Sequence, residues 1–209
     1  MAPDQLPENL YGTADQLPSQ LWDDLAARPP DEAARATGAE LKDGRIFLPL
    51  LGREYALDPK VRRIREKDRP EAVVDFQTGM VLVSTLGRAM DAPPAGRMVT
   101  PQQLPGGSFF FTGPHAIPTG RLCKHFGGDP ALLLERAAEM GGRPIEGADA
   151  AVVLQGLPRL PVYVFLWAAD DEFKASATVG MDAHAHLHLA LDGLWALSNI
   201  LVSRLIREK

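Results

Sequence analysis

Three of the five histidines occupy alternate positions in the stretch MDAHAHLHL, near the end of the chain. They are His184, His186 and His188, and Asp182 precedes them. In an extended segment the three imidazoles share one face and, with Asp182 as a fourth ligand, could bind zinc, nickel or copper. In a helix only His184 and His188 share a face. Because the pattern lacks a partner motif, solvated or helix-capping histidines are favoured over a metal site.

The residues that follow the histidines carry a second pattern. Apolar residues recur at spacings of three and four from Leu189 to Ile206, which predicts a long amphipathic C-terminal helix. Asp182 is a candidate N-cap for that helix. A helix that begins at Asp182 separates the histidines, whereas one that begins near Leu187 leaves them extended and able to converge. The second alternative corresponds to a metal-dependent hydrolase that uses the histidines with a carboxylate from 170–172 or Asp182.

Polar side chains also flank two apolar segments that read as buried strands. Asp149 precedes the first segment, Arg159 lies between the two, and Asp170, Asp171 and Glu172 follow the second. A site at strand ends is held by rigid elements and still meets solvent. We therefore expect Arg159, Asp171, Glu172 and Asp149 to line or brace a ligand site. The alternatives are an acidic turn, or a carboxylate that pairs with Arg159.

The elements that must position these residues follow from periodicity and from glycine and proline signals. Helices are predicted over 14–28, from Asp31 to Gly38, over 71–90 and from Pro130 to Met140. Asp129 is the predicted N-cap of the last of these helices. A meander is predicted over 39–57 with a turn at Asp43-Gly44, and short strands on either side of Gly106-Gly107. Further strands are predicted over 148–154, 161–167 and 174–179.

These elements predict an α+β fold, in which a mainly antiparallel sheet packs against several helices, including the long C-terminal one. Residues 1–12 read as a flexible N-terminal arm. Residues 13–209 read as a single domain, since a chain of 209 residues can bury one sizeable core.

Charge and composition exclude several classes of function. The formal net charge of −5 argues against a nucleic-acid or acidic-membrane surface. No apolar run approaches a membrane span, and the N-terminus has no signal-peptide core, so we expect a cytoplasmic protein. The one cysteine, Cys123, cannot by itself hold an iron-sulfur cluster. Phosphate-loop, dinucleotide, nucleophile-elbow, HExxH and CxxC motifs are missing.

The C-terminal third resembles a known family. The features are Gly147-Ala148-Asp149, Pro158-Arg159-Leu160-Pro161, Trp167 and Asp171-Glu172-Phe173, with Asp182 before a long helix. They resemble an uncharacterised domain family of anaerobic bacteria and archaea, often labelled putative iron-sulfur-cluster proteins. The resemblance extends from about Leu21 to Leu205. It implies an accessory role near anaerobic metalloenzyme or one-carbon chemistry, with the cluster label tied to a separate cysteine-rich segment that is absent here.

The leading hypothesis is therefore a cytoplasmic, non-enzymatic domain that binds a small molecule or a protein partner. It carries no cofactor of its own, although a transition metal at the histidines is the alternative. A homo-oligomer that uses the C-terminal helix is a further possibility, and neither nucleic acid nor membrane is an expected partner.

Overall fold

The computed structural model describes residues 12–207, so residues 1–11 of the predicted arm lie outside the described range. Within that range the chain has eight α-helices, three short 3-10 helices and two antiparallel sheets. The predicted α+β class is confirmed. The strands form two sheets, however, where the sequence indicated one.

The first sheet is a four-stranded meander. Its strands pair in chain order and are β1 (Glu40–Lys42), β2 (Arg45–Leu50), β3 (Arg53–Asp58) and β4 (Arg63–Glu66). The predicted tight turn lies between β1 and β2, where Asp43 and Gly44 both have positive φ. Asn, Asp and Gly are the residues that tolerate this backbone region.

The second sheet has five strands in the order β5-β9-β8-β7-β6. The strands are β5 (Met98–Val99), β6 (Arg143–Pro144), β7 (Ala150–Leu157), β8 (Leu160–Trp167) and β9 (Ser176–Asp182). The three C-terminal strands were predicted, and β8 lies at the centre. The strand expected after Gly106-Gly107 was wrong, because that segment forms a one-turn helix.

The helices are α1 (Ser19–Ala26), α2 (Pro30–Thr37), α3 (Phe76–Arg88), α4 (Gly107–Phe110), α5 (Thr119–Phe126), α6 (Pro130–Glu139), α7 (Ala185–His188) and α8 (Leu191–Leu205). The N-cap predicted for α6 is present, since the Asp129 carboxylate accepts a hydrogen bond from the Leu132 amide. Helix α3 begins five residues later than predicted, where Asp75 caps the amide of Thr78.

The two sheets and the helices share one hydrophobic core. Helices α5 and α6 pack against the five-stranded sheet, and α3 packs against α1 and α8. Gly79 on α3 allows the close approach of the 3-10 helix Ala14–Gln16, since a Cβ at position 79 would lie 2.6 Å from the Cβ of Ala14. The core is therefore one continuous cluster of apolar side chains from both sheets and from the helices.

The C-terminal helix does not begin at Asp182. Asp182 ends β9, the separate one-turn helix α7 follows, and α8 starts at Leu191 with Ala190 at the N-cap. The predicted capping role of Asp182 is wrong, because its carboxylate is bonded elsewhere. Across residues 12–207, no helix combines the length and apolar character needed to cross a bilayer.

Candidate functional site

The polar residues singled out from the sequence lie at the two opposite ends of the β7-β8 hairpin. Arg159 lies at the turn, where Leu157 pairs with Leu160, whereas Asp149 adjoins the far end, where Ala150 pairs with Leu166. Seven residue steps along a strand separate these ends, a distance of about 23 Å. One small ligand therefore cannot contact both Arg159 and the predicted carboxylates.

At the turn end, Arg159 joins its own hairpin to two other segments of the chain, the loop after α3 and helix α2. Its guanidinium donates to the Asp91 carboxylate at 2.7 Å, to the Ala92 carbonyl at 3.4 Å and to the Arg35 carbonyl at 2.6 Å. Asp91 also accepts a hydrogen bond from the Arg35 side chain. The two arginines hold the pKa of Asp91 below its ordinary value, with Arg159 the larger cause. Arg159 thus braces the loop that follows α3, and no carboxylate of residues 170–172 pairs with it.

Asp182 holds the same loop from the other side. Its Oδ1 atom accepts from the amides of Ala95 (2.8 Å) and His184 (2.9 Å), and its Oδ2 atom accepts from the amide of Gly96 (2.8 Å). The Asp182 side chain is 1% exposed. A buried carboxylate that accepts three amide hydrogen bonds has a structural explanation without a metal ion.

The three histidines do not converge. His184 donates from Nδ1 to the Pro93 carbonyl at 3.0 Å, and Nδ1 of His186 bonds the Ala183 carbonyl at 3.1 Å. His188 lies on α7 and is 2% exposed. Among the residues that the structure describes, no group of three His, Cys, Asp or Glu side chains could hold a metal ion. The hydrolase hypothesis therefore has no geometric support within residues 12–207.

His188 is the most buried of the three histidines. Its Nε2 atom is buried and has no hydrogen-bond partner among residues 12–207. Burial lowers the pKa of the His188 imidazole, and the Arg159 cation lowers it further, while the Asp182 carboxylate opposes the shift. His188 is therefore held in its neutral form, as a buried imidazole beside a guanidinium should be.

An open groove of about 600 Å³ lies beside the Arg159 network, between α1, α2 and the end of α3. Charged residues line much of it, but Arg28 pairs with Glu32 and Arg35 pairs with Asp91 across or beside it. Ligand sites are usually concave, largely apolar and only sparsely polar. Two ion pairs and the charged side chains of Asp24 and Arg88 line this groove, which is therefore more polar than a usual ligand site.

A different surface lies on the five-stranded sheet, whose two faces are unequal. On β8, Val162, Val164 and Leu166 are at most 1% exposed and face the helices. The alternate residues Tyr163 and Phe165 are only half-buried, and Trp167 is 40% exposed. We call the surface formed by Tyr163, Phe165 and Trp167 the aromatic face; it lies on the central strand of the sheet.

Two rings of the aromatic face stack on each other, and small residues lie beside the rings. The rings of Phe165 and Trp167 lie 6.3 Å apart between centroids and 20° from parallel. Tyr163 pairs with Gly180 and Phe165 with Thr178 on β9, so small residues flank the rings. Burial, and to a smaller extent the nearby Asp182 carboxylate, raises the pKa of the Tyr163 phenol. At neutral pH Tyr163 is therefore an uncharged hydrogen-bonding aromatic.

The predicted carboxylates border the Trp167 end of this face. The Asp149 carboxylate accepts a hydrogen bond from the Ala168 amide at 2.8 Å, just beyond the last paired residues of β7 and β8. Asp170 accepts the amides of Glu172 and Phe173, and these bonds lower the pKa of the Asp170 carboxyl. These two bonds hold residues 170–173 in a turn.

Cys123 offers no reactive thiolate. It lies half-buried on α5, and burial raises the pKa of its thiol. A thiol with a raised pKa is mostly protonated at neutral pH and is a poor nucleophile.

Sequence reasoning missed two parts of these surfaces. Asp91 was not among the candidate residues, and only the fold brings it to Arg159, 68 positions away. The aromatic face was read as part of a strand covered on both sides. The alternation Val-Tyr-Val-Phe-Leu-Trp from 162 to 167 was the available signal, because it puts aliphatic side chains on one face and aromatic ones on the other.

Comparison with known proteins gives one result. A family model described as "Domain of unknown function (DUF3786)" matches residues 29–204. The match includes both ends of the β7-β8 hairpin and all three histidines. No curated protein and no solved structure matches the chain.

Proposed function

This chain belongs to the DUF3786 family of domains of unknown function, and we propose from its own geometry that it is a binding domain for a protein partner. The binding surface in this proposal is the aromatic face of the five-stranded sheet. The carrying observation is that Tyr163, Phe165 and Trp167 on the central strand remain partly exposed, while the alternate residues of the same strand are fully buried.

The shape of the surface favours a protein over a small molecule. Small-molecule sites are concave and enclose most of their ligand. The aromatic face is one side of a sheet, and such a surface matches another protein surface better. Tyr and Trp are also the residue types most enriched among interface positions that contribute most to binding free energy.

Covering the exposed tryptophan supplies binding free energy. The chain has three tryptophans, of which Trp22 is 4% exposed and Trp167 is 40% exposed. Water in contact with a large ring is released when a partner covers it, at roughly 25 cal/mol per Å² of apolar surface. Stacking against Phe165 holds Trp167 in place beforehand, which reduces the entropy lost on binding.

The test is site-specific crosslinking of the full chain. A photoreactive phenylalanine analogue replaces Trp167 in one variant and Phe109 in a control variant. Phe109 is a suitable control because it is 88% exposed and lies on α4, outside the strands of both sheets. Both variants are expressed in the cells that encode the chain, irradiated and analysed for crosslinked proteins by mass spectrometry.

We expect a defined protein to crosslink at position 167 and not at 109, and the same association to weaken when Tyr163 or Trp167 is replaced by Ser. Equal crosslinking at both positions, or association that is insensitive to these substitutions, would refute the proposal. Circular dichroism of each variant separates a lost contact from a lost fold.

The resemblance described above adds finer expectations to this proposal. They are a cytoplasmic location, an accessory rather than catalytic role, and a partner that belongs to anaerobic metalloenzyme metabolism. The identity of the crosslinked protein tests all three expectations directly.

A further inference from the structure

The segments that border the Trp167 end of the aromatic face are strongly acidic. Two segments border this end, residues 145–149 before β7 and residues 168–175 between β8 and β9. Together they carry five carboxylates and a single cation, Lys174; the carboxylates are those of Glu146, Asp149, Asp170, Asp171 and Glu172.

None of these five carboxylates forms an ion pair with a residue that the structure describes. Every ion pair found within residues 12–207 involves carboxylates elsewhere in the fold. Asp149 and Asp170 accept backbone amides, which fixes the position of their charge without cancelling it. By contrast, Asp91 near Arg159 is paired with two arginines.

Aromatic rings and carboxylates lie side by side at this end. Asp149 precedes Ala150, which pairs with Leu166, and its carboxylate accepts the amide of Ala168, the residue after Trp167. The 145–149 segment also touches the other ring, because a Cβ built on Gly147 would lie 3.2 Å from Phe165. In the 168–175 turn, Phe173 is 68% exposed. A lysine or arginine side chain can satisfy both groups, through cation-π contact with a ring and through ion pairing.

We propose that the aromatic face binds a basic segment of its protein partner, with lysine or arginine side chains at the Trp167 end and apolar side chains towards Tyr163. This inference rests on the proposed function and adds the chemistry of the partner. Charge complementarity is the deciding observation, since unpaired carboxylates select against acidic partners as well as attracting basic ones.

The experiment uses fluorescein-labelled peptides and the full chain. One peptide set carries lysine and arginine beside leucine and phenylalanine, and a matched set carries glutamate in place of the basic residues. Binding is followed by fluorescence anisotropy. The test variant is Asp171→Asn with Glu172→Gln, and the control variant is Asp15→Asn with Glu135→Gln, which removes the same charge from exposed positions elsewhere.

We expect basic peptides to bind more tightly than acidic ones, and their affinity to fall about fivefold in the test variant, as exposed ion pairs contribute. The control variant should bind as the unchanged chain does, and added salt should weaken binding. Trp167→Ser should reduce binding of the basic peptides as well.

Two outcomes would overturn the inference. If basic and acidic peptides bind alike, the partner segment is not basic, although crosslinking at position 167 can still support the proposed function. If light scattering shows that the chain self-associates and that the test variant does not, the occupant is a second copy of this chain instead. Failure of crosslinking at 167 would refute the proposed function itself.

Discussion

The sharpest prediction concerns Asp182, the buried carboxylate that holds the loop after α3 against the five-stranded sheet. Replacement by Ala removes the acceptor of three amide hydrogen bonds, from Ala95, Gly96 and His184. A hydrogen bond to a charged group contributes about 1.5–3 kcal/mol, and some of this is recovered because the loop can take up water. We expect Asp182→Ala to lower the free energy of unfolding by about 3 kcal/mol.

The conservative change makes a finer prediction. In Asp182→Asn, the retained oxygen can still accept from Ala95 and His184, which share Oδ1 in the native chain. The new NH2 group then faces the Gly96 amide, so that two donors oppose each other. We expect a smaller loss, about 1–2 kcal/mol, with faster hydrogen exchange confined to the Gly96 amide.

Urea denaturation followed by circular dichroism gives the free energies, and hydrogen exchange by NMR reports the individual amides. Asp170→Ala is the matched control, since Asp170 also accepts two amides but lies in an exposed turn. The reasoning would be refuted if both Ala variants lost the same stability, or if Asp182→Ala cost less than about 1 kcal/mol and left the three amides protected.

Three further predictions test the fold. The lowered folded-state pKa of His188 means that its contribution to stability is present above the ordinary histidine pKa of about 6.5 and is lost as the pH falls towards the folded-state value. In His188→Gln, the midpoint of urea unfolding should therefore change less between pH 7.5 and 5.5 than it does in the unchanged chain. Arg204→Met should cost about 2–4 kcal/mol in urea unfolding, because three acceptors on the first sheet lose their donor. Gly79→Ala should lower the melting temperature through overpacking, whereas Gly120→Ala, in open space on α5, should not.

Local signals in the sequence predicted the elements whose ends depend on a few adjacent residues. The cap-and-proline pair Asp129-Pro130, the terminating Gly38 and the Asp43-Gly44 turn all lie where expected. The apolar strands on either side of Arg159 were also predicted. These features are determined by backbone conformation and by hydrogen bonds that span only a few positions, so a short window of sequence contains their cause.

The features that matter for function depended on contacts between distant residues. Asp182 could not be assigned from its neighbours, because two of its three donors lie 86 and 87 positions earlier in the chain. With its carboxylate bound there, it caps no helix, and the histidines that follow form a separate turn with divergent side chains.

The exposure of the aromatic face also depended on contacts between distant parts of the chain. Residues 162–167 determined by their types that a strand would form here, and their alternation determined which side chains share a face. Tertiary packing alone decided which of those faces the helices cover. The aliphatic side chains of β8 are buried on the side of α5, and this leaves Tyr163, Phe165 and Trp167 towards solvent. The sequence therefore supplied the chemistry of the surface, and the arrangement of the layers exposed it.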